Sequence, residues 1–156
     1  LIWRSPMNLS LLQLQDYFLT EIQFLLVSQE IDTKCTKDNI KVIYFYDDNP
    51  LETQGDILDY LKKVFGSRVL VFSLDSTFKE EAMIEVLLTS YNVKKFPTVI
   101  VDDTVFQGHT SVEVLMDAIC AEFLKIDGKL PVECSSTAET SSGEENILFK
   151  NYAVPE

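Results

Sequence analysis

The side chains best suited to covalent chemistry in this chain are its three cysteines, Cys35, Cys120 and Cys134. They lie 85 and 14 positions apart, so no CxxC pair is present, and their spacing indicates neither a disulfide framework nor a zinc cluster. Cys35 lies in a polar segment between Lys34 and Lys37, where positive charge favours the thiolate. Cys35 is therefore the candidate reactive thiol, whereas Cys120 is expected to be a small buried apolar residue in a helix.

Pairing of the cysteines stays open at this point. Cys134 falls in a polar C-terminal segment, and two unpaired surface thiols are the commoner arrangement. A disulfide between Cys35 and Cys134 is the alternative, and it would tether the C-terminal segment in an oxidising compartment.

Two pairs of carboxylates, Asp47-Asp48 and Asp102-Asp103, could supply oxygen ligands to calcium. We expect the two pairs to lie a full strand apart, and no DxDxDG loop is present, so we interpret them as solvated turn residues. His109 is the one histidine of the chain, which excludes a histidine-based zinc site, and it is expected to be an exposed loop residue. The sequence predicts no metal and no cofactor.

Composition restricts the class of protein and of partner. The 156 residues are 46% hydrophobic, which is enough for one domain with a core. Because 25 acidic residues face 13 basic ones, the net charge is −12, and nucleic acid is not an expected partner. The chain begins at Leu1, so we expect a segment upstream of it, and a membrane tether with an extracytoplasmic location is favoured slightly over the cytoplasm.

The elements that must position these side chains fall into three zones. Residues 1–39 form an N-terminal extension, in which apolar residues recur every three or four positions and predict a long amphipathic helix from Ser5 to about Ile31. Further apolar residues, including Leu12, Phe24 and Val27, widen its apolar face. We therefore expect the helix either to be covered on more than one side or to contact a partner, which could be a membrane-anchored protein or a second copy of the chain.

Residues 40–124 alternate between strand and helix patterns. Strands are predicted at Ile40–Tyr46, Val69–Leu74, Thr98–Val101 and Thr104–Gln107, and helices follow the first, second and fourth of them. Thr77 with Glu80 predicts a capping box for the second of these helices, and Ser111 is the predicted N-cap of the last. Strands joined through helices run parallel and the hairpin runs antiparallel, so the fold class is an α/β sandwich with a mixed central sheet.

Residues 125–156 are predicted to form an acidic, flexible C-terminal tail. From Asp127 onward this segment has six acidic residues against two lysines, and serine, threonine and glycine dominate its composition. A short apolar island, Ile147–Phe149, could dock on a surface.

One motif matches a known superfamily. The segment Tyr91–Val101, with its proline at Pro97, resembles the YxVxxxPT segment of the thioredoxin superfamily. The element order over 40–124 is similar too. The resemblance implies a three-layer thioredoxin-like fold in which Pro97 follows a cis peptide bond and the neighbouring backbone pairs with an extended peptide.

The sequence departs from this family where its CxxC motif would stand. That junction reads Asp47-Asp48-Asn49-Pro50-Leu51-Glu52-Thr53, and neither alignment with CxxC places sulfur there. Instead, Asn49, Pro50 and Glu52 fit the N-cap, N1 and N3 positions of a helix. We therefore expect no disulfide reductase activity.

The resemblance then implies a binding or scaffolding domain for a protein or an extended peptide. The expected contact residues are those around Pro97 and the degenerate junction: Phe96, Pro97, Thr98, Asp48, Asn49, Pro50 and Glu52. The alternative is a thiol-dependent redox protein that uses Cys35 alone or with Cys134.

Overall fold

The computed structural model describes residues 10–138. Helix α1 spans Leu11–Lys34, and its first turn is closed by a capping box between Ser10 and Gln13. The remaining elements follow in chain order: β1 Ile40–Tyr46, α2 Gln54–Phe65, β2 Val69–Asp75, α3 Ala82–Ser90, β3 Thr98–Val101, β4 Thr104–Gln107, α4 Val112–Asp127 and α5 Val132–Ala138. Within these described residues, no helix combines the length and the apolar character that crossing a membrane requires.

The four strands form one mixed sheet in the order β2-β1-β3-β4. β1 pairs parallel with β2, antiparallel with β3, and β3 pairs antiparallel with β4. The register sets Phe45 opposite Thr98, so the carboxyl end of β1 lies beside the start of β3. The predicted α/β sandwich with a mixed sheet and a long N-terminal helix is thereby confirmed.

Apolar side chains cover both faces of the sheet. One cluster joins α2, α4 and α5 to alternate residues of β1, such as Val42, and the other joins α1 and α3 to the intervening residues, such as Ile43. Because β1 is central and buried on both faces, its IKVIYFY run lacks the polar alternation of a half-exposed strand.

The starts of α1 and α3 differ from the sequence prediction. The helix predicted from Ser5 has its described N-cap at Ser10, and residues 5–9 lie outside the described part of the chain. The capping box predicted at Thr77 and Glu80 is wrong, since α3 begins at Ala82 with Glu81 as its N-cap. The Asp75 carboxylate accepts hydrogen bonds from both the amide and the hydroxyl of Thr77, and this local turn replaces the first helical turn there.

The C-terminal segment also differs over residues 125–138. Gly128 adopts a left-handed conformation (φ 71°) after α4, the chain reverses there, and α5 follows. A disulfide joins Cys120 of α4 to Cys134 of α5, and both cysteines are buried. The proposed Cys35–Cys134 pairing is therefore wrong. Residues 139–156, including Ile147–Phe149, lie outside the described part of the chain.

Candidate functional site

The predicted contact residues come together where β1 ends and β3 begins. The Phe96–Pro97 peptide bond is cis, and the Pro97 carbonyl accepts a hydrogen bond from the Gly108 amide at 2.8 Å. This bond brings the end of β4 and the following loop beside Pro97. Thr98 is fully buried, and its hydroxyl donates to the Lys95 carbonyl at 2.7 Å, so its side chain does not face solvent.

Phe96 differs from its neighbours because its backbone stays unpaired. Among residues 10–138, no hydrogen bond reaches the Phe96 amide or carbonyl. Its side chain is half-buried and packs against the core cluster formed with α1 and α3. A backbone that is held rigidly, with its polar groups free, can accept an additional extended strand.

The loop between β1 and α2 is organised differently from the prediction. α2 begins at Gln54 rather than after Asn49, so Asn49 is not its N-cap. The Asp47 side chain accepts a hydrogen bond from the Asn49 amide (3.2 Å), and the Asn49 side chain accepts one from the Leu51 amide (3.1 Å). These side chains stabilise consecutive turns, which compete with a helix start at this point.

Glu52 takes over the capping of α2. Its carboxylate accepts hydrogen bonds from the amides of Thr53 and Gln54, each at 2.9 Å, while the Thr53 side chain makes no capping bond. The same Oε1 atom lies 2.6 Å from Nδ1 of His109. Glu52 thus stands where one alignment with the family places the second cysteine, and it stabilises the helix end electrostatically.

Residues 109–110 belong to this site, and sequence analysis missed this. His109 is an exposed loop residue, as expected, but it also contacts Glu52, which is 57 positions away. Next to it, Thr110 and the fully buried Gln54 exchange two hydrogen bonds, of 2.7 and 3.0 Å. No local pattern reveals these pairs, because they form only when the hairpin brings residues 108–110 beside the start of α2.

An open cavity of about 370 Å³ lies against this loop and has an acidic lining. It is lined by Tyr44, Tyr46, Asp47, Asp48, Asn49, Pro50, Glu52, Gly55, Asp56 and Asp75. This lining contains five carboxylates and neither lysine nor arginine. Burial raises the pKa of the Tyr44 hydroxyl, and the neighbouring Glu52, Asp47 and Asp56 raise it further. The groove therefore presents a negative potential and would attract cationic groups.

The second carboxylate pair has a different role from the one expected. Asp102 was interpreted as a solvated turn residue, but its side chain is nearly buried, and its Oδ2 lies 2.6 Å from the ammonium of Lys37. Its Oδ1 also accepts a hydrogen bond from the Lys41 amide at 3.0 Å. Asp102 therefore ties the hairpin turn to the start of β1, far from Pro97.

In residues 10–138, no group of three or more metal-binding side chains is arranged to hold an ion.

Cys35 lies away from the Pro97 site. It is an exposed free thiol at the end of α1, before the amino end of β1, whereas Pro97 lies beside the carboxyl end of that strand. A strand of seven residues spans about 20 Å. Cys35 therefore cannot act on a segment that is held at Phe96 without a large conformational change.

Comparison with known proteins gives structural neighbours only. No protein-family model matches the sequence, and no curated protein matches it. A solved structure of a malarial protein is 24% identical over 52% of this chain and 93% of that chain, with a TM-score of 0.43. A mutant thioredoxin from Halobacterium salinarum is 21% identical over 63% of this chain and 84% of that chain, with a TM-score of 0.44. The thioredoxin from Wuchereria bancrofti is 19% identical over 68% of this chain and 83% of that chain, with a TM-score of 0.35.

The fold assignment itself rests on topology. A parallel strand–helix–strand unit is followed by a helix, a loop that ends in a cis proline, an antiparallel hairpin and a closing helix. This order of elements is the one that the sequence resemblance implied, and the strands lie in the order β2-β1-β3-β4. The chain has a thioredoxin-like fold, and the loop between its β1 and α2 contains no cysteine.

Proposed function

We propose that this protein is a redox-inactive binding domain that holds an extended segment of another protein at the Pro97 surface, defined here as Phe96, Pro97 and the loop 47–52. The observation that carries the proposal is the unpaired backbone of Phe96, which lies at the end of a rigid sheet. An added strand could hydrogen-bond to it without any rearrangement of the core.

Thiol exchange at this surface is disfavoured by the groups that occupy the junction. Glu52 accepts the amide hydrogen bonds that would otherwise stabilise a thiolate at the start of α2. Asp47 and Asp48 add negative charge, which raises the pKa of a nearby thiol. The disulfide between Cys120 and Cys134 is buried beneath α5, so it is not placed to exchange with a substrate.

The charge of the groove selects the class of partner. Five carboxylates line it and neither lysine nor arginine does, so an acidic segment would be repelled and a basic one attracted. We therefore expect the bound segment to be extended and to carry lysine or arginine where it meets the loop 47–52.

The binding test is a titration of the labelled protein with an extended peptide rich in lysine and valine, followed by NMR chemical shifts. We expect shifts confined to the Pro97 surface, and no binding by the same peptide with glutamate in place of lysine. The variant Asp47→Asn/Asp48→Asn should weaken binding about tenfold. The matched control is Asp38→Asn/Asp103→Asn, which removes the same charge from exposed positions at the opposite end of the sheet.

The control should bind almost as the parent does, since charges beyond about 8 Å are screened at physiological salt. Equal weakening by both variants would mean that only net charge matters and that the groove is not the site. Shifts that avoid Phe96 altogether would also refute the proposal.

The alternative function, thiol exchange through Cys35, is favoured by one observation, the exposure of that thiol. Turnover of an insulin disulfide separates the two functions. The binding domain predicts the same background rate for the parent and for Cys35→Ser, whereas a rate that Cys35→Ser abolishes would establish the thiol function.

The Cys120–Cys134 disulfide agrees with the expected extracytoplasmic location. Buried structural disulfides are typical of proteins that mature in oxidising compartments. This part of the proposal requires the disulfide to be present in protein that is isolated from its native compartment under thiol-blocking conditions.

A further inference from the structure

The outward side of α1 is apolar although the core already buries its inward side. Phe18, Ile22 and Leu25 are inside the protein. On the opposite side, Val27 and Ile31 are 56% and 51% exposed, and Phe24 is 57% exposed at the edge of this side, where its ring lies 5.5 Å from that of Phe72 in β2. These three residues, with the exposed Thr20 and Gln23, form what we call the α1 outer face. A helix that only covers a core would carry charged residues there.

The distribution of charge on this helix resembles that of an interface. Between Asp16 and Glu30, the only charged residue is Glu21, which packs against β2 and accepts a hydrogen bond from the Ser73 amide. The exposed positions of that stretch are therefore uncharged, although the chain as a whole has a net charge of −12. Charged residues stand only at its two ends, as they do at the rim of a protein–protein contact.

We propose that the α1 outer face is a dimer interface, and that its occupant is the same face of a second copy, packed antiparallel. This inference is independent of the proposed peptide binding, because it rests on different residues. Two copies would present two Pro97 surfaces, which suits a scaffolding role.

Charge complementarity selects the antiparallel direction. Asp16 and Lys34 are 18 residues apart, which is five helical turns, so they lie on the same flank of the helix. A twofold axis between Phe24 and Val27 would bring Asp16 of one copy within about 2 Å, along the helix axis, of Lys34 of the other. Lys34 pairs with Glu30 of its own helix at 2.7 Å, so its ammonium would be shared between the two carboxylates. A parallel pair would instead set Asp16 against Asp16 and Glu30 against Glu30.

The size of the contact predicts a weak dimer. The segment from Asp16 to Lys34 is about 27 Å long. With a contact width of about 11 Å, which is the diameter of a helix, two such helices bury roughly 600 Å² in total, and this is less than a typical specific interface buries. We therefore expect a dissociation constant of about 100 μM or weaker, so that the dimer is measurable at the upper end of the concentration range.

Sedimentation of the full chain between about 1 and 300 μM tests the proposal. The average mass should rise from 17.8 kDa towards twice that value as concentration increases. Val27→Glu puts a charge in the middle of the α1 outer face and should weaken association at least tenfold. Val86→Glu is the matched control, since Val86 is 53% exposed on α3, and it should leave the dimer unchanged.

A chain that stays monomeric at every concentration overturns the proposal, whether because residues 1–9 cover the face or because nothing does. A dimer that Val27→Glu and Val86→Glu affect equally also overturns it. Circular dichroism of both variants checks that they are folded, and both substituted positions are exposed, so neither change disturbs the core.

Cross-linking tests the orientation in a Cys35→Ser background. In an antiparallel dimer, a cysteine introduced by Val27→Cys lies next to its counterpart and should form an intermolecular disulfide. One introduced by Thr20→Cys lies about 16 Å along the axis from its counterpart and should not. Cross-linking at both positions would mean a parallel pair and would refute the antiparallel arrangement.

Discussion

The ammonium of Lys41 is the buried charge whose removal gives the sharpest test of this structure. Lys41 lies in the central strand β1 with 3% of its side chain exposed, and its Nζ lies 2.6 Å from both carboxylate oxygens of Asp32 on α1. The Asn39 side chain also contacts this ammonium. The cluster therefore fixes the end of α1 against the start of β1.

The two partners should not be equally costly to remove. Asp32 is 17% exposed, so when Lys41→Met takes away the cation, the carboxylate can still reach water, and we expect a loss of about 2 kcal/mol. Asp32→Ala leaves the buried ammonium with only Asn39. We expect that change to cost about 3–5 kcal/mol, as for other buried ion pairs that lose one member.

The double variant Asp32→Ala/Lys41→Met completes a thermodynamic cycle. Because no charge is left unpaired, its loss should be smaller than that of Asp32→Ala alone and well below the sum of the two single losses. Urea unfolding, followed by circular dichroism at constant pH and salt, measures all four free energies of unfolding.

Two results would refute this reasoning. If the two single losses simply add, the residues are not coupled, and the ion pair does not exist in solution. If Lys41→Met costs more than Asp32→Ala, the carboxylate rather than the ammonium is the group without access to water.

Two further predictions concern pH and redox state. Burial raises the pKa of Glu21 from 4.5 to about 7, against the lowering effects of its hydrogen bond from the Ser73 amide and of Lys62. The folded protein therefore retains the Glu21 proton to a higher pH than the unfolded chain does. The free energy of unfolding consequently falls as pH rises from about 4.5 to 7. Glu21→Gln should remove this loss and be about 2 kcal/mol more stable than the parent at pH 8 but equal at pH 4; equal stability differences at both pH values would contradict it. For the cysteines, alkylation of the denatured chain should modify only Cys35 before reduction and all three cysteines after it, as counted by mass spectrometry. Because the Cys120–Cys134 disulfide closes a loop of about 15 residues, reduction should cost about 3 kcal/mol of stability, and three modified thiols without reductant would show that the bond is absent.

Local sequence patterns predicted the parts of this fold that depend on neighbouring residues. The bounds of β1, β3 and β4 agree with the prediction, because apolar and β-branched runs interrupted by an Asp-Asp turn leave few other local structures. The cap at Ser111 agrees for the same reason, since a cap involves a few adjacent residues. The start of α2 was misplaced because two competing local motifs, the Asx turns and the helix cap, fit the same residues.

The sequence alone predicted the element order from α1 to α4, the sulfur-free junction, the acidic charge and the wide apolar face of α1. It did not predict α5, which lies in the segment expected to be a flexible tail. The tertiary contacts alone show which cysteine pairs with Cys134, that Asp102 pairs with Lys37 and Asp32 with the buried Lys41, and that His109 meets Glu52. The physical reason is that these contacts join residues of different elements, and neither the helical nor the strand period links their positions in the sequence. Their energies depend on desolvation, which exists only once the sheet and its two helical layers have closed around them.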